Sequence, residues 1–177
     1  MKSVLISIQP KWCELIASGE KMVEVRKTKP KIETPFKVYI YETQGKLMWC
    51  NKCHDSNCER PYPNCACFKG QGKVIGEFVC DRIIESFLNN NDGWFVELGC
   101  LTQKEIDDYQ GDKAILYGWH ISDIVIYDKP KELSEFRSHN VRTYIMDENG
   151  YPMPTHEIKR PPQSWCYVEE LKGESNG

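Results

Sequence analysis

Several things are missing from this 177-residue sequence. No apolar run approaches the roughly 20 residues that a membrane-spanning helix requires, which excludes a helical membrane protein. No internal repeat and no long low-complexity tract is present, which excludes a repeat array. The opening "MKSVLISIQPKW" is too poor in apolar residues for a secretory leader and carries no small-residue cleavage site. A cytoplasmic location is therefore expected, where nine cysteines would mostly stay reduced. An excess of positive charge is also lacking. The net charge of −3 argues against a surface coated all round for phosphate. The charge is uneven, however: residues 1–46 carry nine Lys/Arg against five Glu, a balance of +4 that leaves −7 for the remainder. Such a basic end either steers a phosphate-bearing ligand to one face or merely solvates a surface.

What is present reads mainly as strand. "SVLISI" (residues 3–8) predicts a buried first strand, and Pro10 then suits the first turn of a helix. In "PKWCELIASG" the apolar Trp12, Leu15 and Ile16 fall at helical spacing, and Gly19 is placed as the left-handed stop. From Met22 the period changes to two, with Val23 and Val25 on one face and Glu24 and Arg26 on the other. Further strands are predicted at residues 36–43, 72–84 and 118–128, with Gly76 marking a bulge or a close backbone approach. "LTQKEIDDY" pairs a Thr cap with Glu105 three residues on, which opens a short helix. "DENGYPMP" is turn chemistry, and a closing strand starts at Ser164 after Pro161 and Pro162. The order is not that of a doubly wound sheet. It predicts an α+β, mainly β fold: a small mixed barrel of five to six strands with two or three short helices plugging its ends. A single domain over residues 1–177 is expected, with a Cys-rich insertion at about 45–71 and a C-terminal extension at about 129–163 before the closing strand. Oligomeric state is left open, with a monomer as the default.

The stretch "GEKMVEVRK" carries Gly19, Lys21, Glu24 and Arg26 in the spacing G-x-K-x-x-E-x-R. This resembles the signature of the ASCH domain, a relative of the PUA superfamily. "KVIGEFVCDRI" and "YGWHISDIVIYDKPKELSEF" resemble the later strands of ASCH proteins from gut bacteria and their phages. The likeness spans residues 1–44 and 72–136 and the closing "PPQSWCYVEE". It implies a PUA-like barrel whose signature lines a cleft for RNA or a nucleotide. It also implies a hydrolytic alternative, because some members of similar architecture act as amidohydrolases on N4-acetylcytidine and others as ribonucleases. In the amidohydrolase type a lysine at the position of Lys21 works with a threonine where this chain has Glu24, and with a glutamate from a later helical segment. Glu24 replaces that hydroxyl, which counts against the hydrolytic mechanism; its catalytic candidates here are Lys21 and Glu24, with Glu77 or Glu105 as the further carboxylate.

Physically, Glu24 and Arg26 share a strand face close enough to pair, and a guanidinium held by a carboxylate offers a planar fork for phosphate or a base edge. With Glu24 three residues away, Lys21 is expected to keep its proton and bind anions rather than act as a base. The alternative for all three is an exposed ion-pair ladder of little energetic value. Trp12, Trp119 and Trp165 lie near these elements and either stack bases or fill the core. Ser164 and His120, each next to a tryptophan, complete the ligand-binding candidates as groups able to read a base edge.

"CNKCHDSNCERPYPNCAC" groups Cys50, Cys53, Cys58, Cys65 and Cys67 in a polar stretch with almost nothing to bury. Either four of the five hold a structural zinc ion, or the insert is a disulfide-bonded or flexible loop. A third functional possibility makes this insert a protein-interaction surface. Metal analysis separates the first pair: a structural site predicts about one zinc per chain in protein purified without added metal, and substoichiometric zinc contradicts it.

Overall fold

The computed structural model describes residues 2–44, 70–87 and 93–171. The five cysteines Cys50, Cys53, Cys58, Cys65 and Cys67 lie outside the described residues. Among the described residues no helix is long and apolar enough to cross a membrane.

The chain runs β1 (Lys2–Ile8), α1 (Pro10–Ala17), β2 (Val23–Arg26), β3 (Phe36–Glu42), β4 (Val74–Cys80), β5 (Ile83–Phe87), α2 (Gly93–Gly99) and α3 (Gln103–Gln110). It continues with β6 (Ile115–His120), β7 (Ser122–Lys131), a 3-10 turn at Leu133–Glu135, β8 (Thr143–Met146), β9 (Pro152–Thr155) and β10 (Trp165–Glu169). The strands form a five-stranded sheet in the order β10-β1-β3-β4-β7, a three-stranded sheet β2-β6-β5 and a two-stranded ribbon β8-β9. β1 lies parallel to β3 and antiparallel to β10.

The near-continuous apolar run of β1 follows from its central place. Val4, Ile6 and Ile8 join the core between the two sheets with Phe36, Val38, Ile40, Phe78 and Trp119. Leu5 faces the other way, into a second cluster with Tyr39, Tyr41, Val74 and Val168. A strand covered on both faces has no use for polar alternation. That outer face is covered by Phe136 and Ile158, so the C-terminal extension is part of the fold's burial. A third cluster places Val23, Val25 and Leu116 of the small sheet under Phe95 and Ile106 of α2 and α3.

The two long predicted strands each split where the chain changes sheet. The first breaks between Cys80 and Ile83 and the second between His120 and Ser122. The two corners are tied together: the His120 amide donates to the Arg82 carbonyl at 3.0 Å, and His120 Nδ1 and Asp81 Oδ1 are 2.6 Å apart. Gly76 is both a bulge and a close approach, since the register shifts beside it and a Cβ there would meet the Val125 carbonyl oxygen at 2.4 Å.

The expected barrel is therefore corrected. The described strands number ten rather than five or six, and they form separate sheets instead of one closed barrel. The small sheet meets the large one where the Arg26 side chain of β2 donates to the Ser7 carbonyl of β1 at 2.6 Å, and a cleft lies along this seam.

Candidate functional site

Helix α1 positions the signature by ending early. Gly19 has φ +79°, a left-handed conformation that glycine adopts without strain. The turned chain then bonds back, the Lys21 amide donating to the Leu15 carbonyl at 2.8 Å and the Met22 amide to Leu98 at 2.9 Å. Lys21 thus points inward ahead of β2, and strand alternation sends Glu24 and Arg26 to the same side.

The three charges are buried: Lys21 is 2% exposed, Glu24 6% and Arg26 9%. This contradicts the exposed ladder weighed above. Glu24 sits between the cations, its Oε1 at 2.9 Å from Arg26 Nη2 and its Oε2 at 3.6 Å from Lys21 Nζ. Each cation is also anchored to backbone. Lys21 Nζ donates to the Gly99 carbonyl at 2.5 Å, and Arg26 Nη2 donates to the Ser7 carbonyl at 2.6 Å. Arg26 Nη1 reaches Ser164 Oγ at 3.4 Å, a long contact, while its Nε is buried with no acceptor among the described residues. Burial lowers the Lys21 pKa below its ordinary value, and the Glu24 carboxylate opposes that shift.

These residues line a cleft of about 680 Å³. Ser7 to Gln9 and Thr43 form one side, α1 contributes Trp12, α3 contributes Glu105 and Tyr109, and the segment 161–164 closes the remaining wall. The Trp12 ring lies 5.0 Å from Lys21 Nζ. Glu105 is held in the capping box of α3, accepting from the Thr102 amide and Oγ1 and lying 3.4 Å from Lys11 Nζ. The Thr102 amide is the main reason its carboxyl pKa is lowered.

Among the expected site residues, Lys21, Glu24, Arg26, Trp12, Glu105 and Ser164 come together here. The others do not. Trp119 is 0% exposed and fills the core between Phe36 and Trp165, so it cannot stack a ligand. His120 is spent on the Asp81 corner, and Trp165 packs on Tyr167 and donates its ring N–H to Thr28. Glu77 lies on the large sheet, bonded by Tyr127 and Lys37, away from the cleft. Cys13 and Cys80 are buried, and burial pushes the Cys80 thiol up to about 12. Cys100 and Cys166 are only half-buried.

Tyr109 and Gln163 were missed. Tyr109 stands four residues after Glu105 on α3, so helical spacing already put both on one face. Gln163 had no such signal, because its place depends on how the Pro161–Pro162 segment crosses β1.

The ASCH domain family model matches residues 6–150 of the chain. The crystal structure of ASCH from Zymomonas mobilis superposes with a TM-score of 0.60 at 18% identity, covering 95% of this chain and 88% of that one. Two single-residue variants of the same Zymomonas mobilis protein superpose with TM-scores of 0.58 and 0.59, at 17% and 18% identity. They cover 95% and 96% of this chain and 89% and 92% of theirs. No curated protein sequence matches.

Removing one member of a buried charge network leaves the others uncompensated. Glu24→Gln is expected to cost about 3–5 kcal/mol in urea unfolding, because two buried cations then face each other. Replacing Lys21, Glu24 and Arg26 together by leucine or methionine should cost less than that single change. A Glu24→Gln penalty below about 1 kcal/mol would mean the network is not desolvated as described.

Proposed function

The chain belongs to the ASCH domain family, and on that premise we propose that its cleft binds a nucleotide or a single-stranded RNA segment without chemical turnover. The observation that carries this proposal is the buried signature cluster on the cleft floor. Two cations against one carboxylate leave a net positive charge, and the Arg26 Nε–H has no acceptor. A guanidinium fixed by Glu24 and the Ser7 carbonyl is preorganised, so a ligand oxygen entering the cleft gains more from its charge than it would from a solvated arginine. A phosphate oxygen or a base carbonyl meets that demand. The rings of Trp12 and Tyr109 line the same cleft and supply stacking surfaces, while Gln163 and Ser164 offer neutral groups for a base edge.

Two observations favour binding over hydrolysis. The Gly99 carbonyl and the Glu24 carboxylate both stabilise the protonated form of Lys21, and an ammonium has no lone pair with which to act as a base. Glu105, the carboxylate within the cleft that could activate water, is occupied by its helix cap and kept acidic by it. Glu77, the other candidate, is outside the cleft.

Fluorescence anisotropy with a labelled single-stranded RNA oligonucleotide tests the proposal. Tyr109→Ala and Trp12→Ala should each weaken binding by about 5- to 150-fold, the equivalent of ~1–3 kcal/mol of stacking. Unchanged affinity in both folded variants would place the site elsewhere. Release of cytidine from N4-acetylcytidine at high protein concentration would favour the hydrolytic alternative instead.

A further inference from the structure

The exposed large apolar side chains are not scattered. Six of the eleven among the described residues are Val141, Tyr144, Ile145, Met146, Tyr151 and Met153, all in or beside the β8-β9 ribbon. Tyr144 is 64% exposed, Met146 71% and Tyr151 68%. Alternation puts Tyr144 and Met146 on one face and Ile145 on the other, so both faces of the ribbon are apolar and open. A two-stranded hairpin is marginal in water, and further strands are what stabilise it.

The two edges of this ribbon differ. β9 carries Pro152 and Pro154, opposite Met146 and Tyr144. Neither proline has an N–H, so the ladder to β8 runs through Met153 and Thr155, and the prolines face outward. The contact from the Arg142 amide to the Thr155 carbonyl at 2.9 Å agrees with Thr155 facing β8. The β9 edge is thereby blocked against another strand. The β8 edge carries no such block. There the N–H and C=O groups of Tyr144 and Met146 point outward, and among the described strands none but β9 pairs with β8.

We propose that β8 is a self-association edge, where a second copy of this chain adds its own β8 in antiparallel register about Ile145. The sequence is complementary to itself under that operation. In "RTYIMDE", residues 142–148, Tyr144 falls opposite Met146 of the second copy, and Ile145 opposite its own equivalent. Arg142 falls opposite Glu148 of the second copy at both ends. Each Tyr144 exchanges both of its outward backbone bonds with Met146 of the other chain, and an aromatic ring meets a thioether. Arg142 is exposed, and in the single chain its guanidinium bonds Ser138 Oγ at 3.2 Å and Cys166, contacts that it would exchange for Glu148 of the second copy. Glu148 is exposed in the turn that closes the hairpin. The interface is isologous and closes as a dimer, and its blocked β9 edges stop further growth.

Sedimentation velocity of the full-length protein over a concentration series tests this. The expected result is a concentration-dependent shift from one chain to two, with no larger species. Tyr144→Pro removes one outward N–H and should weaken the dimer about tenfold or more. Glu148→Arg, a change at an exposed turn position, should weaken it by a similar factor through repulsion of Arg142, and Arg142→Glu added to it should restore association. A protein that stays monomeric across the series overturns the proposal. So does a dimer indifferent to Tyr144→Pro and Glu148→Arg, or a charge swap that restores nothing.

Discussion

One carboxylate held between two cations inside the protein is the constraint on which the rest depends. Desolvating Glu24, Lys21 and Arg26 is unfavourable unless each finds fixed partners, and besides one another those partners come from three separate parts of the chain. Lys21 needs the Gly99 carbonyl at the end of α2, and Arg26 needs the Ser7 carbonyl at the end of β1 and Ser164 at the start of β10. The α1 stop at Gly19 aims Lys21 inward. Moving any one of these would leave a buried charge without its counterpart, so the network specifies how the two sheets and the segment 161–164 meet.

The same seam gives the chain its cleft. The cluster satisfies every strong group in its reach except the Arg26 Nε–H and the excess of one positive charge. Lys21, Glu24 and Arg26 all line the cavity. The lowered Lys21 pKa expresses the same imbalance, since burial works against its charge and Glu24 only partly restores it.

Much of this was legible in the sequence. The period change at Met22 located the polar face of β2, Pro10 and Gly19 bounded α1, and the Thr102 and Glu105 spacing opened α3, because each depends on neighbours a few residues away. What was not legible depends on distant contacts. Trp119 and Glu24 are adjacent partners across β2 and β6, yet nothing local distinguishes a tryptophan that lines a cleft from one that fills the core behind it. The runs 72–84 and 118–128 read as single strands, since a strand that changes sheet keeps its β-rich composition through the corner. α2 escaped notice because "GWFVELG" is as aromatic as a strand, and only its packing over Val23 and Val25 makes it a helix. Residues 137–160 had no assigned role until Ile158, with Phe136 just ahead of them, was seen to cover the outer sheet.

The most direct measurement of the central claim is the ¹⁵Nε resonance of Arg26, followed by NMR as single-stranded RNA is titrated into the protein. If the cleft is where the ligand binds, the environment of the Arg26 guanidinium changes as the ligand's oxygens enter. Its resonance then moves with the titration, together with the side-chain signals of Tyr109 and Gln163. If RNA saturates the protein while Arg26 Nε stays fixed and the shifts fall on another surface, the cluster is a structural device alone and the account of the cleft is wrong.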